Sequence, residues 1–288
     1  MVTASSPAVL KRWIGLELRR LRQATGKGRP EVAARLKQSR TAIGHLETAR
    51  NLPSGPALEV LLGFYGVPER LPFFLDLIDA ARKGRNWWDR LAGTAPPWFD
   101  LFLGLEAGAA ELNIFDAYLV PGLLQTPGYA EAVFRADPDL TDEELQQRVE
   151  LRLGRQQILD RADDPVRLWV ILDESVLYRR RGTPQMMAAQ IEHLIEVSQR
   201  PRIDLQVLPL DAGAHLAQQG SFQLLKFPAE MTGDPGVVYL ELVVEGRYYE
   251  NPEQIARYDR AMTRIRVQAA SQEQSRAHLQ RALKEATT

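Results

Sequence analysis

The sequence predicts two domains, an all-α domain of five helices followed by an α+β domain with a mixed, partly antiparallel sheet. Three observations lead to this expectation. The chain has 288 residues, a length that suits two domains of ordinary size. Its first 83 residues carry short helical patterns separated by glycine, proline and polar residues. Apolar runs typical of strands begin only after residue 112.

The N-terminal helices are predicted from periodicity and from their end signals. Apolar residues recur at helical spacing between residues 14 and 21 and indicate the first helix. A second helix is expected near Pro30, since the first turn of a helix tolerates proline. Ser39 is a suitable N-cap for a third helix. The fourth and fifth helices are predicted over residues 54–65 and 68–83.

The C-terminal region combines strand and helix patterns. Short apolar runs bounded by turn residues predict strands, and Thr141 followed by acidic residues marks a helix start. Because the connections between successive strands are short, the sheet should be partly antiparallel. The predicted strands cover residues 114–120, 168–172, 204–208, 222–227 and 237–243, and the helices cover 127–135, 141–160, 184–199 and a stretch from about 252.

These elements suggest four segments along the chain. We expect a flexible arm over residues 1–10, a helical domain over 11–83, a connector over 84–112 and the α+β domain over 113–288. The connector is rich in aromatic residues, which favours packing of the helical domain onto the rest of the chain; an exposed aromatic ligand site is the alternative. The aromatic residues are Trp87, Trp88, Trp98 and Phe99.

Charge is distributed unevenly along the chain, although the net charge is only −1. Residues 11–50 contain 11 Lys and Arg but 3 Asp and Glu, whereas residues 91–288 contain 20 Lys and Arg and 29 Asp and Glu. A compact basic segment joined to an acidic body indicates that one part meets a polyanion. A solvated cationic helix face is the alternative.

Composition and motifs argue against several function classes. The absence of cysteine excludes disulfides, thiolate nucleophiles, iron–sulfur clusters and cysteine-based zinc sites. No phosphate loop, dinucleotide fingerprint, nucleophile elbow or zinc-protease motif occurs, and no apolar stretch is long enough to span a bilayer. We therefore expect a soluble, cytoplasmic protein that is not an enzyme and has no catalytic residues, metal or cofactor.

A few residues are candidate exceptions to that expectation. Asp173 and Glu174 follow a predicted strand, but neighbours on an extended chain point to opposite faces, so a structural or capping role is favoured. His215 has no nearby Ser, Cys or second His and is a weak candidate base or ligand. Any metal site would have to use carboxylates and the histidines, which are His45, His193, His215 and His278.

The second and third helices, with the tight turn between them, predict a helix-turn-helix. In such a motif the second helix enters the major groove of DNA and its N-terminal residues reach base edges. We expect Arg29, at the start of the preceding helix, to contact phosphate. Arg40, Thr41, Gly44 and His45 are the expected base-proximal residues, and Lys37 and Arg50 should flank the groove.

Three segments resemble the lambda-repressor-like (XRE) DNA-binding domain: residues 18–22 (LRRLR), 31–36 (EVAARL) and 39–48 (SRTAIGHLET). The resemblance implies an ion pair between Arg22 and Glu47. The sequence departs from the family pattern at four positions, where Gly28, Lys37, Gln38 and Ala49 replace a capping Ser or Thr, a Gly, an apolar residue and a Gly. Asn51 is a candidate to adopt a left-handed conformation near the last of these.

The rest of the chain resembles the C-terminal domain of WhiJ-type actinobacterial regulators. The resemblance is carried by residues 87–88 (WW), 105–106 (LE), 120–130 (VPGLLQTPGYA), 155–156 (RQ), 172–174 (LDE), 207–209 (VLP) and 238–241 (VYLE). It implies an antitoxin-like or developmental regulator that acts with a small partner protein encoded nearby.

Together these features predict a sequence-specific regulator that binds double-stranded DNA as a homodimer. Its C-terminal domain would bind the partner protein or a small ligand, and no membrane association is expected. Two alternatives stay open. The protein could be a ligand-binding protein or hydrolase-like enzyme with a helix-turn-helix adaptor, or the motif could serve protein contact instead of DNA.

Overall fold

A computed structural model describes residues 6–84, 86–91, 93–162, 165–229, 231 and 233–287. The chain divides into two compact units. The first comprises Met1–Asp89 together with Pro228–Asp234, and the second comprises Arg90–Phe227 and Pro235–Thr288. A short segment from far along the chain therefore belongs to the N-terminal unit.

The first unit contains the predicted helices. Ser6, Ser39 and Ser54 cap three of them, because each hydroxyl accepts a hydrogen bond from the backbone N–H three residues later. The helices are α1 (Pro7–Ala24), α2 (Arg29–Leu36), α3 (Arg40–Glu47), α4 (Gly55–Phe64) and α5 (Leu71–Lys83). The prediction of an all-α N-terminal region is confirmed.

The first helix begins earlier than expected. The sequence suggested a flexible arm over residues 1–10, but Pro7–Leu10 form the first turn of α1, and Val9 and Leu10 are buried. Proline fits this position because its missing N–H would have no partner in a first turn. The flexible-arm prediction is therefore wrong for residues 7–10, and residues 1–5 lie outside the described residues.

The core of the first unit joins α1, α3 and α5. Ile14 and Leu18 of α1 and Ile43 of α3 are at most 2% exposed. The ring of Trp13 packs against Phe74 of α5 with centroids 5.7 Å apart. Burial of these side chains fixes α3 on the longer helix α1, as the hydrophobic effect favours removal of apolar surface from water.

A buried ion pair ties the distant segment to α1. Nε and Nη2 of Arg12 each lie 2.8 Å from a carboxylate oxygen of Asp234. The side chains are 9% and 2% exposed, so water screens the pair poorly. A single run over residues 113–288 therefore does not describe the α+β domain, because residues 228–234 belong to the first unit. Sequence patterns could not reveal a contact between positions 222 residues apart.

The second unit is built on a mixed sheet with the strand order β3-β2-β1-β4-β5-β6. β1 pairs in parallel with β2 and β2 with β3, whereas β4 pairs antiparallel with β1, β5 with β4 and β6 with β5. The strands are β1 (Glu111–Asp116), β2 (Arg167–Asp173), β3 (Ile203–Leu208), β4 (Phe222–Lys226), β5 (Val237–Glu241) and β6 (Gly246–Tyr249). The predicted α+β fold with a partly antiparallel sheet is confirmed.

Helices cover this sheet and fill the segment expected to be a connector. Residues 84–112 contain a short 3₁₀ turn, α6 and the start of β1, and both Trp88 and Phe99 are buried. The C-terminal region holds two helices where the sequence suggested one. The helices are α6 (Pro97–Ala107), α7 (Pro127–Phe134), α8 (Asp142–Gly154), α9 (Ser175–Tyr178), α10 (Pro184–Val197), α11 (Pro252–Gln268) and α12 (Gln272–Ala286).

Two strands differ from the sequence-based prediction for local reasons. The pattern predicts β1 over residues 114–120, but the strand ends at Asp116, whose carboxylate accepts hydrogen bonds from the N–H groups of Tyr118 and Leu119 at 3.0 and 3.1 Å. Those bonds turn the chain out of the sheet. The strand predicted over 237–243 ends at Glu241, and a turn closed by the N–H of Leu242 and the carbonyl of Glu245 leads into β6.

Candidate nucleic-acid interface

A three-residue turn joins α2 to α3. Lys37 adopts the left-handed backbone conformation with a φ of 52°, and the N–H of Gln38 donates to the carbonyl of Ala33 at 2.9 Å. Ser39 then caps α3 by accepting a hydrogen bond from the N–H of Ala42 at 3.0 Å. These bonds satisfy backbone groups at the end of α2 and at the start of α3, and the arrangement is a helix-turn-helix.

The helix α3 has one buried face and one open end. Ile43 is 1% exposed and anchors the buried face. Arg40 and Thr41, in the first turn of α3, are exposed, while Gly44 and His45 on the next turn are half-buried. The sequence-predicted base-proximal residues are therefore together on one short helix, with the longest cationic side chain at its N-terminal end.

Glu47, at the last position of α3, joins two arginines from different helices. Its Oε1 lies 2.5 Å from Nε of Arg22 in α1, and its Oε2 lies 2.8 Å from Nε of Arg29 in α2. Nη1 of Arg22 also donates to the carbonyl of Lys27 at 2.7 Å. The ion pair between Arg22 and Glu47 that the resemblance implied is present, and Arg29 completes an ion triad.

Two of the three side chains in this triad are largely shielded from water. The Glu47 side chain is 2% exposed and that of Arg22 is 11% exposed. The hydrogen bond to Glu47 raises the pKa of Arg22, against the opposing effect of burial. Burial, with a further contribution from the charge of Glu47, also raises the pKa of the neighbouring Tyr65. With two guanidinium groups around one carboxylate, the ion triad carries a net positive charge beside α3.

Arg29 has a positioning role that sequence reasoning missed. Its side chain is 35% exposed, and among the described residues Glu47 is its one hydrogen-bond partner. A Cβ at position 44 would lie 3.9 Å from Nη1 of Arg29, so the guanidinium runs alongside α3. The predicted phosphate contact of Arg29 stays a prediction, and the structure adds that the same side chain braces α2 against α3.

Gly15 allows α1 to approach the end of α3 closely. A Cβ at position 15 would lie 2.8 Å from the carbonyl oxygen of Leu46 and 3.0 Å from the amide nitrogen of Ala49. Such distances are shorter than real side chains tolerate, so only glycine fits without a shift. The available sequence signal was a glycine within an otherwise regular helical pattern, which often marks a packing constraint.

The chain leaves α3 through a second left-handed residue. Ala49 has a φ of 59°, and the N–H groups of Arg50 and Asn51 both donate to the carbonyl of His45, at 3.0 and 3.3 Å. The sequence suggested a left-handed conformation at Asn51. The structure has it at Ala49 instead. Arg50 and Lys37 are exposed at opposite ends of α3.

The acidic and histidine candidates of the second unit make hydrogen bonds within that unit. Asp173 accepts a hydrogen bond from the N–H of Ser175 at 3.0 Å, and Nδ1 of His215 accepts one from Ala217 at 3.3 Å. Glu174 accepts from the N–H of Leu210 at 2.9 Å and lies 2.7 Å from Nδ1 of His278. Burial raises the pKa of Glu174, but these hydrogen bonds outweigh it and the net shift is downward.

Comparison with known families identifies both regions. Residues 13–71 match a family described as "Helix-turn-helix domain", which includes α2, α3 and the turn between them. Residues 99–281, more than half of the chain, match a family described as "Domain of unknown function (DUF5753)". The chain belongs to the DUF5753 family. The DUF5753 match includes the whole sheet of the second unit and ends within α12, and its description assigns no activity.

No curated protein and no solved structure matches the chain. Within the described residues, none of the helices combines the length and apolar character needed to cross a bilayer.

Proposed function

We propose that the chain is a sequence-specific transcription regulator that binds double-stranded DNA through α3, and that it is not an enzyme. One observation carries this proposal. The exposed first turn of α3, with Arg40 and Thr41, is held on the basic first unit by an ion triad around the buried carboxylate of Glu47 and by a glycine contact. A preorganised cationic helix end of this kind suits insertion into the major groove.

Each predicted DNA-contacting residue has a chemical role in this proposal. Arg40 donates two hydrogen bonds to a guanine edge, and Thr41 contributes a hydrogen bond or a methyl contact. His45 reaches further along the groove, and Gly44 permits close approach of the helix. Phosphate contacts come from the flanking cations and from the start of α2, which are Arg29, Lys37 and Arg50.

The proposed assembly is a homodimer on symmetric half-sites. A single helix-turn-helix buries too little surface for the affinity that operator recognition requires, and dimers usually bind half-sites one helical turn apart. The acidic second unit receives the signal, which is a small ligand or, as the resemblance to WhiJ-type regulators supports, a small partner protein encoded nearby. This would make the protein an antitoxin-like or developmental regulator of the XRE class.

The test compares variants of the full chain on a duplex selected from a random library and on a scrambled duplex. Arg40→Ala should cost about 1–3 kcal/mol on the selected duplex and little on the scrambled one, because only the former offers the matching base edge. The control Lys83→Ala removes an exposed cation on α5 that pairs with Asp79 at 2.8 Å, and should leave both affinities unchanged. Equal losses on the two duplexes for Arg40→Ala would contradict base reading by α3.

Salt dependence separates DNA binding from the alternative of a protein-contact motif. If a dimer neutralises about four to six phosphates, the logarithm of the binding constant should fall with the logarithm of salt concentration with a slope of about −4 to −5. A chain that selects no duplex and shows no salt-dependent binding would favour a motif used for protein contact.

A further inference from the structure

The second unit contains an open cavity of about 640 Å³ with mostly apolar walls. This volume lies within the range of sites that hold small molecules. Aromatic rings form part of its wall, and three arginines from α8 and the 3₁₀ turn after it also line it. These rings and guanidinium groups belong to Trp98, Phe99, Phe134, Arg148, Arg152 and Arg155.

Two of the three arginines already have carboxylate partners. Arg155 makes a bidentate ion pair with Glu106, both contacts being 2.7 Å, and each side chain is at most 6% exposed. Arg148 lies 3.7 Å from Asp137. These pairs compensate the charge of both guanidinium groups inside the unit.

Arg152 differs from its two neighbours. Its Nη1 donates to Oε1 of Gln125 at 2.8 Å, and its guanidinium lies 4.6 Å from the centroid of the Phe134 ring. Among the described residues no carboxylate oxygen is within 4.0 Å of it, and the charges of Glu241, Glu106 and Asp116 act on it from farther away. Burial and the nearby charge of Arg155 lower the pKa of Arg152 to about 10, so it stays protonated at neutral pH.

The segment before α7 is shaped to hold this arginine in place. A Cβ at position 122 would lie 2.8 Å from Cδ of Arg152 and 3.1 Å from Nη1 of Arg155, so glycine leaves room for both side chains. Gln125 is 1% exposed and its Nε2 donates to the carbonyl of Val120 at 2.7 Å. The fixed amide of Gln125 and the ring of Phe134 both contact the guanidinium of Arg152, which restricts the rotamers of its side chain.

We propose that this cavity is a binding site for a small aromatic or apolar molecule that carries one carboxylate, sulfonate or phosphate group, with Arg152 as the residue that binds the anionic group. The half-buried guanidinium of Arg152 has no ion-pair partner within 4.0 Å among the described residues, and an anionic ligand would supply a charge-assisted hydrogen bond there. The aromatic walls bury the body of the ligand. The role of this ligand as a regulatory signal rests on the proposed function. Its binding to the cavity can be measured without DNA.

The probe pair for the test is 1-anilinonaphthalene-8-sulfonate and its uncharged analogue N-phenyl-1-naphthylamine, which share an aromatic body. The wild-type full chain should bind the sulfonate about tenfold or more tightly than the neutral analogue, as a charge-assisted hydrogen bond predicts. Arg152→Gln should remove that preference and leave binding of the neutral probe within about twofold. Arg152→Lys keeps the charge and should retain part of the preference.

Two controls distinguish the cavity from other sources of probe binding. Arg135→Gln removes an exposed cation on α7's C-terminal side that pairs with Glu131 at 2.9 Å, and should change neither affinity. Val244→Ser removes an 82% exposed apolar side chain outside the cavity wall. Sulfonate binding lost with Val244→Ser but kept with Arg152→Gln would place the dye on the surface and overturn the proposal.

The comparison within the wild-type chain does not depend on the folding of any variant. Equal affinity for the charged and uncharged probes, or no binding of either, would overturn the anion site. Duplex binding by the same preparation is scored separately. A chain that selects DNA but shows no preference for the sulfonate retains the proposed function and loses this site, and the converse result loses the proposed function alone.

Discussion

The two units pair their arginines in different ways. In the first, Arg22 and Arg29 converge on the buried carboxylate of Glu47, and this ion triad joins three helices. In the second, Arg155 is paired with Glu106 but Arg152 has an amide and a ring as neighbours. The contrast agrees with the two proposals, in which exposed cations of the first unit bind a large polyanion and a half-buried cation of the second unit binds a small anion.

The largest effect should come from removing the carboxylate at the centre of the ion triad. Glu47→Ala leaves two guanidinium groups close together without their partner, and breaking a buried ionic network of this kind costs about 3–5 kcal/mol. The free energy of unfolding, measured by urea titration of the full chain, should fall by that amount for the first unit. Glu59→Ala, at an exposed position of α4, should change it by less than about 0.5 kcal/mol.

The close contact between α1 and α3 provides the next test. Gly15→Ala places a methyl group against the backbone of Leu46 and should destabilise the first unit by about 1–3 kcal/mol. Gly63→Ala is the matched control in α4, where a Cβ would meet nothing within 4 Å. This control should stabilise the helix by about 0.5–1 kcal/mol. If both substitutions shift the unfolding transition in the same direction, the packing role of Gly15 is wrong.

Relief of a left-handed residue should give a smaller gain. Ala49→Gly removes the steric cost of a φ of 59°, and we expect the unfolding free energy to rise by about 0.5–1 kcal/mol. Ala34→Gly, at an exposed position inside α2, should instead lower it by about the same amount. Thermal unfolding of the two variants beside the wild type checks the opposite signs.

The smallest effect concerns the response of the first unit to acid. Burial raises the pKa of Glu17, but hydrogen bonds from Arg20 and Arg70 outweigh it and the pKa lies below its ordinary value of 4.5. A lowered folded-state pKa contributes stability that is present above the unfolded value and is lost as the pH falls through the folded value. Glu17→Gln should therefore flatten the fall in stability below about pH 5, which urea titrations at pH 7 and pH 4 can measure. An unchanged pH dependence would mean that Glu17 contributes nothing to it.

Local patterns predicted much of the first unit. Caps such as Ser39 and Ser54 and the spacing of Ile14 and Leu18 depend on neighbours a few residues away, and the helices appear where those signals stand. The candidate DNA-contacting residues of α3 followed from that periodicity and from a family resemblance. The contact of Arg29 with Glu47 was not predicted, because it depends on how α2 packs against α3.

The second unit was less predictable because its important contacts are distant in sequence. The first unit has one such contact as well, because Arg12 and Asp234 are 222 residues apart in the sequence. The cavity around Arg152 gathers α6, α7, α8 and the turn after β5, and no local signal marks it. The sequence predicted one strand from Val237 to Val243, because Leu242 and Val243 are apolar. In the structure both residues are exposed in a turn.

The central claim is that Arg40 reads a base, and a double-mutant cycle tests it most directly. Wild-type and Arg40→Ala chains are titrated with the selected duplex and with the same duplex carrying 7-deazaguanine, which lacks the N7 acceptor, at one guanine of the half-site. Direct reading predicts that one such guanine weakens the wild type by about 1 kcal/mol or more and has no effect on Arg40→Ala. Additive losses at every guanine of the half-site would contradict the account.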